Sequence, residues 1–324
     1  IILPHYPHFC VYISILTPIP NLTLNYDSET KAFSITPYTT KGTKCTLYFE
    51  EYNPIASDVI LAGKDIQERS SFSSVLSTNT NGIIYRETTS DGTTYYFAGD
   101  TDENWVSFAG YYWRIIRINE DGSVRMIYNG MTTNQTGVGT QIQTSLFNSN
   151  SNRSYYVGYM YSDSQHGNGS NSTIKRILDE WYETNIREKN YDNYIADSGF
   201  CGDREMQYDH TWSATSSGSI NYASYLRRRN TPTFSCTNGA DLYTVYSDRG
   251  NRALTYPIGL ITLDEVRFAG AFNTNSNTEY WLYTGQSYWT MSPGFFNSVL
   301  AYVYRVAASG GLNYGGVDEI YDGV

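Results

Sequence analysis

Residues 288–324 read YWTMSPGFFNSVLAYVYRVAASGGLNYGGVDEIYDGV. Bulky strand formers open the stretch, Tyr288-Trp289-Thr290-Met291, and apolar residues then recur at frame-like positions: Ala301, Val303, Val306, Leu312 and Val317. Tyr, Ser, Gly, Asn, Asp and Arg305 fill the gaps. Tyr brings large, rigid contact area at low entropy cost, while Ser, Gly and Asn bring adaptable hydrogen bonding. The pattern predicts a fixed strand lattice with a recognition surface laid over it. Nowhere in the chain are nucleophiles, bases or metal ligands concentrated to a comparable degree, so the sequence points to recognition before chemistry.

Composition agrees. A chain of 324 residues can bury a substantial core and hold two domains. Its 32 tyrosines suit half-buried strands and interfaces, because the ring is apolar and the hydroxyl wants a partner. Charged residues are only 17%, so solubility rests on Asn, Ser, Thr and Gly, as in many extracellular β-rich proteins. A net charge of −10 argues against a nucleic-acid partner, which needs a basic stripe. The basic cluster Arg227-Arg228-Arg229 reads as a solvated loop or a local counter-charge.

The cysteines fall as Cys10/Cys45 and Cys201/Cys236, neither with the spacing of a zinc or redox motif. An even count at wide spacing favours an exported protein with two disulfides; buried free thiols are the alternative. Closing the loop from Cys201 to Cys236 would stabilise by roughly 3–4 kcal/mol. No segment is long and apolar enough to span a membrane. The hydrophobic stretch 1–20 is broken by Pro4, Pro7, Pro18 and Pro20, and its lack of a start Met suggests a fragment or processed form.

Alternating runs at Asn21–Tyr26, Lys31–Thr36 and Thr43–Phe49 predict a small β module or stalk segment over 1–53. Residues 54–83 read as a connector after Asn53-Pro54. In the main domain, 84–324, strands are expected at Thr94–Phe97, Trp105–Phe108, Tyr112–Ile118 and Ser123–Tyr128, the last two joined by the turn Asn119-Glu120-Asp121-Gly122. The strand at Tyr112–Ile118 is apolar on both faces and so should be central. Ile174, Ile177, Leu178 and Trp181 form a helical stripe behind Ser172 or Thr173 as N-cap. Thr262-Leu263-Asp264-Glu265 is a capping box, and Gly270 supplies the stop. Residues 129–154, 202–235 and 273–278 read as loops. Trp113, Trp181, Trp281 and Trp289 sit in apolar periodic segments and are expected in the core. The fold class is therefore α+β, a twisted sheet supporting large ordered loops.

Chemical motifs are weak. His166 and His210 lie in polar, loop-like sequence without a G-x-S-x-G elbow. A glycosidase carboxylate pair could be drawn from Asp264, Glu265, Asp318 or Glu319, but Glu265 is explained by its cap. Calcium loops of the EF-hand type and phosphate-cradling glycine loops are absent. The expectation is no catalytic residue, no metal and no cofactor.

Two blocks, Tyr256–Val266 and Tyr283–Pro293, resemble surface proteins of gut Firmicutes and Mollicutes, whose C-terminal ends are similar to the variable regions of diversity-generating retroelement proteins. The segments 112–130, 198–204 and 236–245 resemble the same pattern. The resemblance implies a C-type-lectin-like domain, of the branch that includes the formylglycine-generating enzymes, with a variable region at about 288–324. It implies a fixed frame at Tyr288–Pro293, Ala301, Val303, Val306, Gly310, Leu312, Val317 and Gly323-Val324. Diversified positions would fall among 294–300, Tyr304, Arg305, 307–309, Gly311, 313–316 and 318–322; nearly every residue there can be encoded by a codon ending in C, as mutated AAC codons require, and Glu319 cannot. No Cys follows Cys236, which removes the cysteine pair and copper site of the formylglycine-generating relatives. The calcium–sugar motifs of animal C-type lectins are also absent.

The expected protein is an exported or cell-surface ligand binder whose hypervariable C-terminal surface is diversified by a retroelement. Its ligand would be a protein or glycan on another cell, a host or a phage. The expected ligand site comprises Phe295, Phe296, Asn297, Tyr304, Arg305, Tyr314, Asp318 and Tyr321. The alternatives are a carbohydrate-active or oxidative enzyme using the same cleft, and a structural pilus or stalk subunit.

Overall fold

The computed structural model describes residues 55–89, 91–214 and 217–324, together with the backbone of four strands nearer the N-terminus. The chain divides into a smaller unit, Ile2–Ile55, and a larger one holding Ala56–Val324. The smaller unit contains β1 (His8–Ser14), β2 (Thr23–Asp27), β3 (Ala32–Thr36) and β4 (Thr46–Tyr52). β1 pairs with β4 and β2 with β3, both antiparallel. Cys45 and the side chain of Cys10 lie outside the described residues, and the expected Cys10–Cys45 bond with them.

The larger unit begins earlier than its sequence suggests. Within the stretch expected as a connector, α1 (Ala56–Leu61) precedes β5 (Asp65–Gln67), which pairs in parallel with β6 (Ile83–Thr89). Further along, the Leu76 N–H donates to Gly270 O at 2.9 Å, and Arg267 Nη2 donates to Phe72 O at 2.7 Å. These bonds fasten the segment to the domain, so it is not a free linker.

The first sheet adds β7 (Gly92–Tyr96), β8 (Trp105–Phe108), β9 (Tyr111–Ile118) and β10 (Val124–Tyr128) in the order β10-β9-β7-β6-β5, with β8 on β9. β9 is central as expected, and Ile115, Ile116 and Ile118 are all buried. The turn into β10 closes where Gly122 takes φ 81°, a left-handed value that glycine adopts without a Cβ penalty.

Short elements follow. β11 (Met160–Tyr161) pairs with β12 (Ser170–Asn171), and α2 (Thr173–Tyr182) starts behind Ser172, whose hydroxyl accepts the Lys175 N–H. Ile174 and Leu178 of the predicted stripe are buried. The stretch 202–235, expected as loop, also supplies β14 (Ser219–Asn221) and the one-turn α3 (Ser224–Arg227), while β13 (Phe200–Cys201) pairs with β15 (Leu242–Tyr243). A disulfide joins Cys201 to Cys236. α4 (Leu263–Ala269) carries the complete Thr262/Glu265 capping box and stops at Gly270, φ 132°. Every residue of α4 is buried.

The second sheet, β14-β16-β17-β18, contains the C-terminal strands β16 (Tyr288–Asn297), β17 (Ala301–Val306) and β18 (Leu312–Gly316). Its two faces belong to different cores. Tyr288, Tyr304, Val306 and Leu312 pack with Trp281, Val266 and the isoleucines of β9. Trp289, Met291, Phe296, Ala301, Val303 and Val317 pack with Phe147, Val157 and Leu178. Burying each such large side chain contributes about 1.5–3 kcal/mol, so both faces anchor the sheet. Trp281 and Trp289 are buried as expected, whereas Trp113 and Trp181 are only half-buried, packed against each other and against Tyr111 and Tyr128. The architecture is mixed α+β, mostly sheet with few helices. Among the described residues, no helix is long and apolar enough to cross a membrane.

Candidate functional site

On either side of Pro293 the pairing of β16 with β17 slips, once between Trp289 and Pro293 and once between Pro293 and Phe295. These irregularities decide which of two adjacent phenylalanines faces outward. Phe296 turns into the core beside Trp289 and Met291, and Phe295 emerges on the opposite face, opposite Tyr302. The expected ligand role of Phe296 is therefore corrected: it is fully buried.

Phe295 stacks on Tyr302 with ring centroids 4.5 Å apart. Tyr314 meets both rings edge-on, at 4.9 Å and 5.6 Å. Tyr225 of α3 completes the group, 6.0 Å from Phe295, with the Arg228 guanidinium 4.6 Å from its own ring. Phe295, Tyr302 and Tyr225 are half-buried and Tyr314 is exposed, so the four form an aromatic ledge at the open end of one sheet face. Edge-to-face contacts of this kind add about 0.5–1.5 kcal/mol each and hold the rings in place. Asn297 borders the ledge. Its Oδ1 accepts the Val299 and Leu300 N–H groups, which shapes the β16–β17 turn, and its Nδ2 reaches the Tyr302 hydroxyl at 3.4 Å.

Tyr304 overturns its expected role. It lies on the same face as Tyr302, but α4 and the Trp281 region cover that end, leaving it 1% exposed. Its hydroxyl has no hydrogen-bond partner, and burial raises its pKa. Arg305 is likewise engaged in structure. Its Nη1 donates to Glu319 at 3.0 Å and to Asp322 at 2.6 Å, fastening the last loop to β17. Burial pushes the Asp322 carboxyl up, and the Arg305 charge opposes that rise. Asp318 is exposed and accepts from Ser151 Oγ, and Tyr321 is exposed on the same loop. The structure thus brings together Phe295 and Tyr314 of the expected set, places Asn297 at their edge, and adds Tyr302 and Tyr225. Tyr225 stands in sequence that reads as loop, and the spacing Tyr222-x-x-Tyr225 is its only signal there.

A second site lies beside the disulfide, a cleft with about 70 Å³ of room for solvent. Glu265 at its base pairs with Arg125 and Arg117, at 2.5 Å and 3.3 Å. Burial alone would raise the Glu265 carboxyl, but those guanidiniums and the Thr262 N–H hold it below its ordinary value. Arg227 of the basic cluster binds Asp203 and Asp264, confirming a counter-charge for that residue. Burial pushes the Asp264 carboxyl up to about 6; Arg227 pulls it down and Asp203 pushes it further up. Asp264 Oδ1 also accepts the Thr233 N–H. His166, expected in a surface loop, instead stands half-buried, 3.5 Å from Glu205 and 3.6 Å from Asp241. Among the described residues, no cluster of His, Cys, Asp and Glu could hold a metal ion.

No protein-family profile matches the chain, and comparison with curated proteins and with solved structures found no match.

Proposed function

We propose that the chain is an extracellular or surface-displayed ligand-binding protein, with a C-type-lectin-like domain and a recognition surface at the aromatic ledge Phe295, Tyr302, Tyr314 and Tyr225. One observation carries the reading: the residues assigned to the fixed frame from Tyr288 to Gly323 are all buried, while Phe295, Tyr302 and Tyr314 on the same strands reach solvent. A surface whose rings are held by one another, over a frame anchored in two cores, can exchange outward side chains without unfolding. Interface energy concentrates in such Tyr- and Arg-rich anchors. Diversification by a retroelement would then act on outward positions such as Phe295, Asn297, Val299, Tyr314, Asp318 and Tyr321. Phe296 and Tyr304 drop out of the proposed variable set because they are core. The Cys201–Cys236 disulfide supports an oxidising compartment. In the cleft, the engagement of Asp264 by Arg227 and Thr233 favours binding over proton transfer.

Two measurements test the proposal. Screening the intact protein against a glycan array and a displayed library of host and phage proteins should yield a ligand whose binding is lost in Tyr302→Ala/Tyr314→Ala. Retention of that binding by a folded double variant would overturn the ledge. Sequencing the DNA around the coding region should reveal a near-identical repeat, differing mainly at adenines, beside a reverse transcriptase; an invariant locus without one would remove the diversification.

A further inference from the structure

The aromatic ledge is flanked by opposite charges. Its rings cross the second sheet from Tyr225 on α3 through Phe295 on β16 to Tyr302 on β17. At the α3 end the Arg228 guanidinium stands 4.6 Å from the Tyr225 ring centroid. Arg227, beside it in the chain, is taken up by Asp203 and Asp264, but Arg228 and Arg229 form no ion pair among the described residues. Arg228 Nε donates to Tyr225 O at 3.2 Å, and its two Nη groups have no acceptor among the described residues. Arg229 is exposed. Burial raises the Tyr304 hydroxyl and the charges of Arg228 and Arg229 oppose that rise, so both stand near this face. At the other end, beside the strand partner of Tyr302, a Cβ on Gly316 would lie 3.1 Å from Asp318 Oδ1. The surface is therefore cationic at α3 and anionic beyond β18, on a chain of net charge −10.

What lies between the charges offers little to a sugar. Phe295 and Tyr302 stack on each other, and Arg228 lies over the Tyr225 ring. Asn297, the amide at the ledge, has its Oδ1 committed to the Val299 and Leu300 N–H groups and its Nδ2 turned to the Tyr302 hydroxyl. Val299, in the same turn, is aliphatic and 71% exposed. The hydroxyls of a sugar pressed onto such a surface would lose water without gaining partners. Tyr and Arg anchors around an apolar centre, with charge at the rim, are instead the composition of a protein interface.

We infer that the ledge takes a protein segment that sets an acidic side chain beside an aromatic one, the carboxylate on Arg228 and Arg229 and the ring against Phe295, Tyr302 and Tyr314. The inference rests on the ledge being the recognition surface and adds the chemistry of its partner. A guanidinium stacked on an aromatic ring keeps its N–H fork free for a carboxylate, which it binds by paired, charge-assisted hydrogen bonds. Asp318 at the far end repels a carboxylate, so the acidic side chain is directed to the α3 end. At ordinary salt a charge acts over about 10 Å, so the two arginines decide the local attraction although the whole chain is acidic.

Biolayer interferometry on the whole chain with three soluble polymers tests it: a random copolymer of glutamate and tyrosine, polyglutamate, and polygalacturonate. The copolymer should bind saturably, with the other two weaker by about tenfold or more. Arg228→Gln/Arg229→Gln and Tyr302→Ala/Tyr314→Ala, each shown to be folded by a thermal melt, should each weaken copolymer binding by about tenfold or more. Loss in the tyrosine variant with binding kept in the arginine variant would overturn the acidic partner and leave the ledge standing. Loss in the arginine variant alone would separate the arginines from the ledge and overturn the inference, while the ledge itself stands or falls by its array-selected ligand. No saturable copolymer binding, or polyglutamate or polygalacturonate bound as tightly as the copolymer, would overturn it as well.

Discussion

Tyr304 and Tyr314 stand directly opposite each other across β17 and β18, yet Tyr304 is 1% exposed and Tyr314 37%. Their shared face runs out from under the core between them. The boundary between scaffold and surface therefore crosses a single cross-strand pair, and it assigns the two tyrosines different energetics.

Replacing Tyr304 with Ala should lower stability by about 3–5 kcal/mol, since a large aromatic leaves a cavity in a packed core. Tyr314→Ala should cost under about 1 kcal/mol, as for most surface changes. Tyr304→Phe should be neutral or slightly stabilising, because the hydroxyl it removes is buried and unpartnered. Urea titration of the three variants checks the ranking, and equal losses for the two Ala variants would contradict the burial boundary.

Gly315 falls among the positions expected to vary, but its neighbourhood forbids a side chain. A Cβ there would sit 2.9 Å from the Trp289 ring, which is fully buried. Gly315→Ala should therefore destabilise by about 1–3 kcal/mol through overpacking. A thermal melt unchanged from the parent would show that Trp289 can shift.

Asp264 carries a pH signature. Its carboxyl, raised by burial from 3.8 to about 6, keeps a proton in the folded chain that the unfolded chain has released. The folded state binds more protons across that window, so this contribution to stability is present below it and declines as pH rises through it. Asp264→Asn removes the decline, so the parent should lose stability relative to the variant as pH rises from 3.8 to about 6. Denaturation at a series of pH values reads the difference; a parent that gains on the variant over that range would refute the assignment.

The Cys201–Cys236 bond closes a loop of sequence separation 35. Changing both residues to Ala should cost about 2–4 kcal/mol. The parent in reducing agent should lose a similar amount, and a stability that does not respond to reductant would mean the bond does not form.

Local chemistry made much of the fold legible. The helix over 173–182 was readable because its apolar stripe has helical period and Ser172 caps it. Thr262 and Glu265 announced α4, and Asp121-Gly122 announced the hairpin after β9, because caps and tight turns depend on a few adjacent residues. Residues 54–83 read as a connector in sequence because the anchors of this segment, Gly270 and Arg267, lie far along the chain. Tyr225 is hidden in sequence because a one-turn helix leaves only the single Tyr222/Tyr225 spacing and no longer period.

The amino-acid order alone determined the frame of the C-terminal strands: apolar spacing from Tyr288 to Val317 marks residues that must be buried whatever packs on them. It did not determine which tyrosines meet solvent. Two register slips chose Phe295 over Phe296 for the outer face, and the cover over Tyr304 ends before Tyr314. Period-two alternation assigns a side chain to a face, but only the packed neighbours decide whether that face is covered.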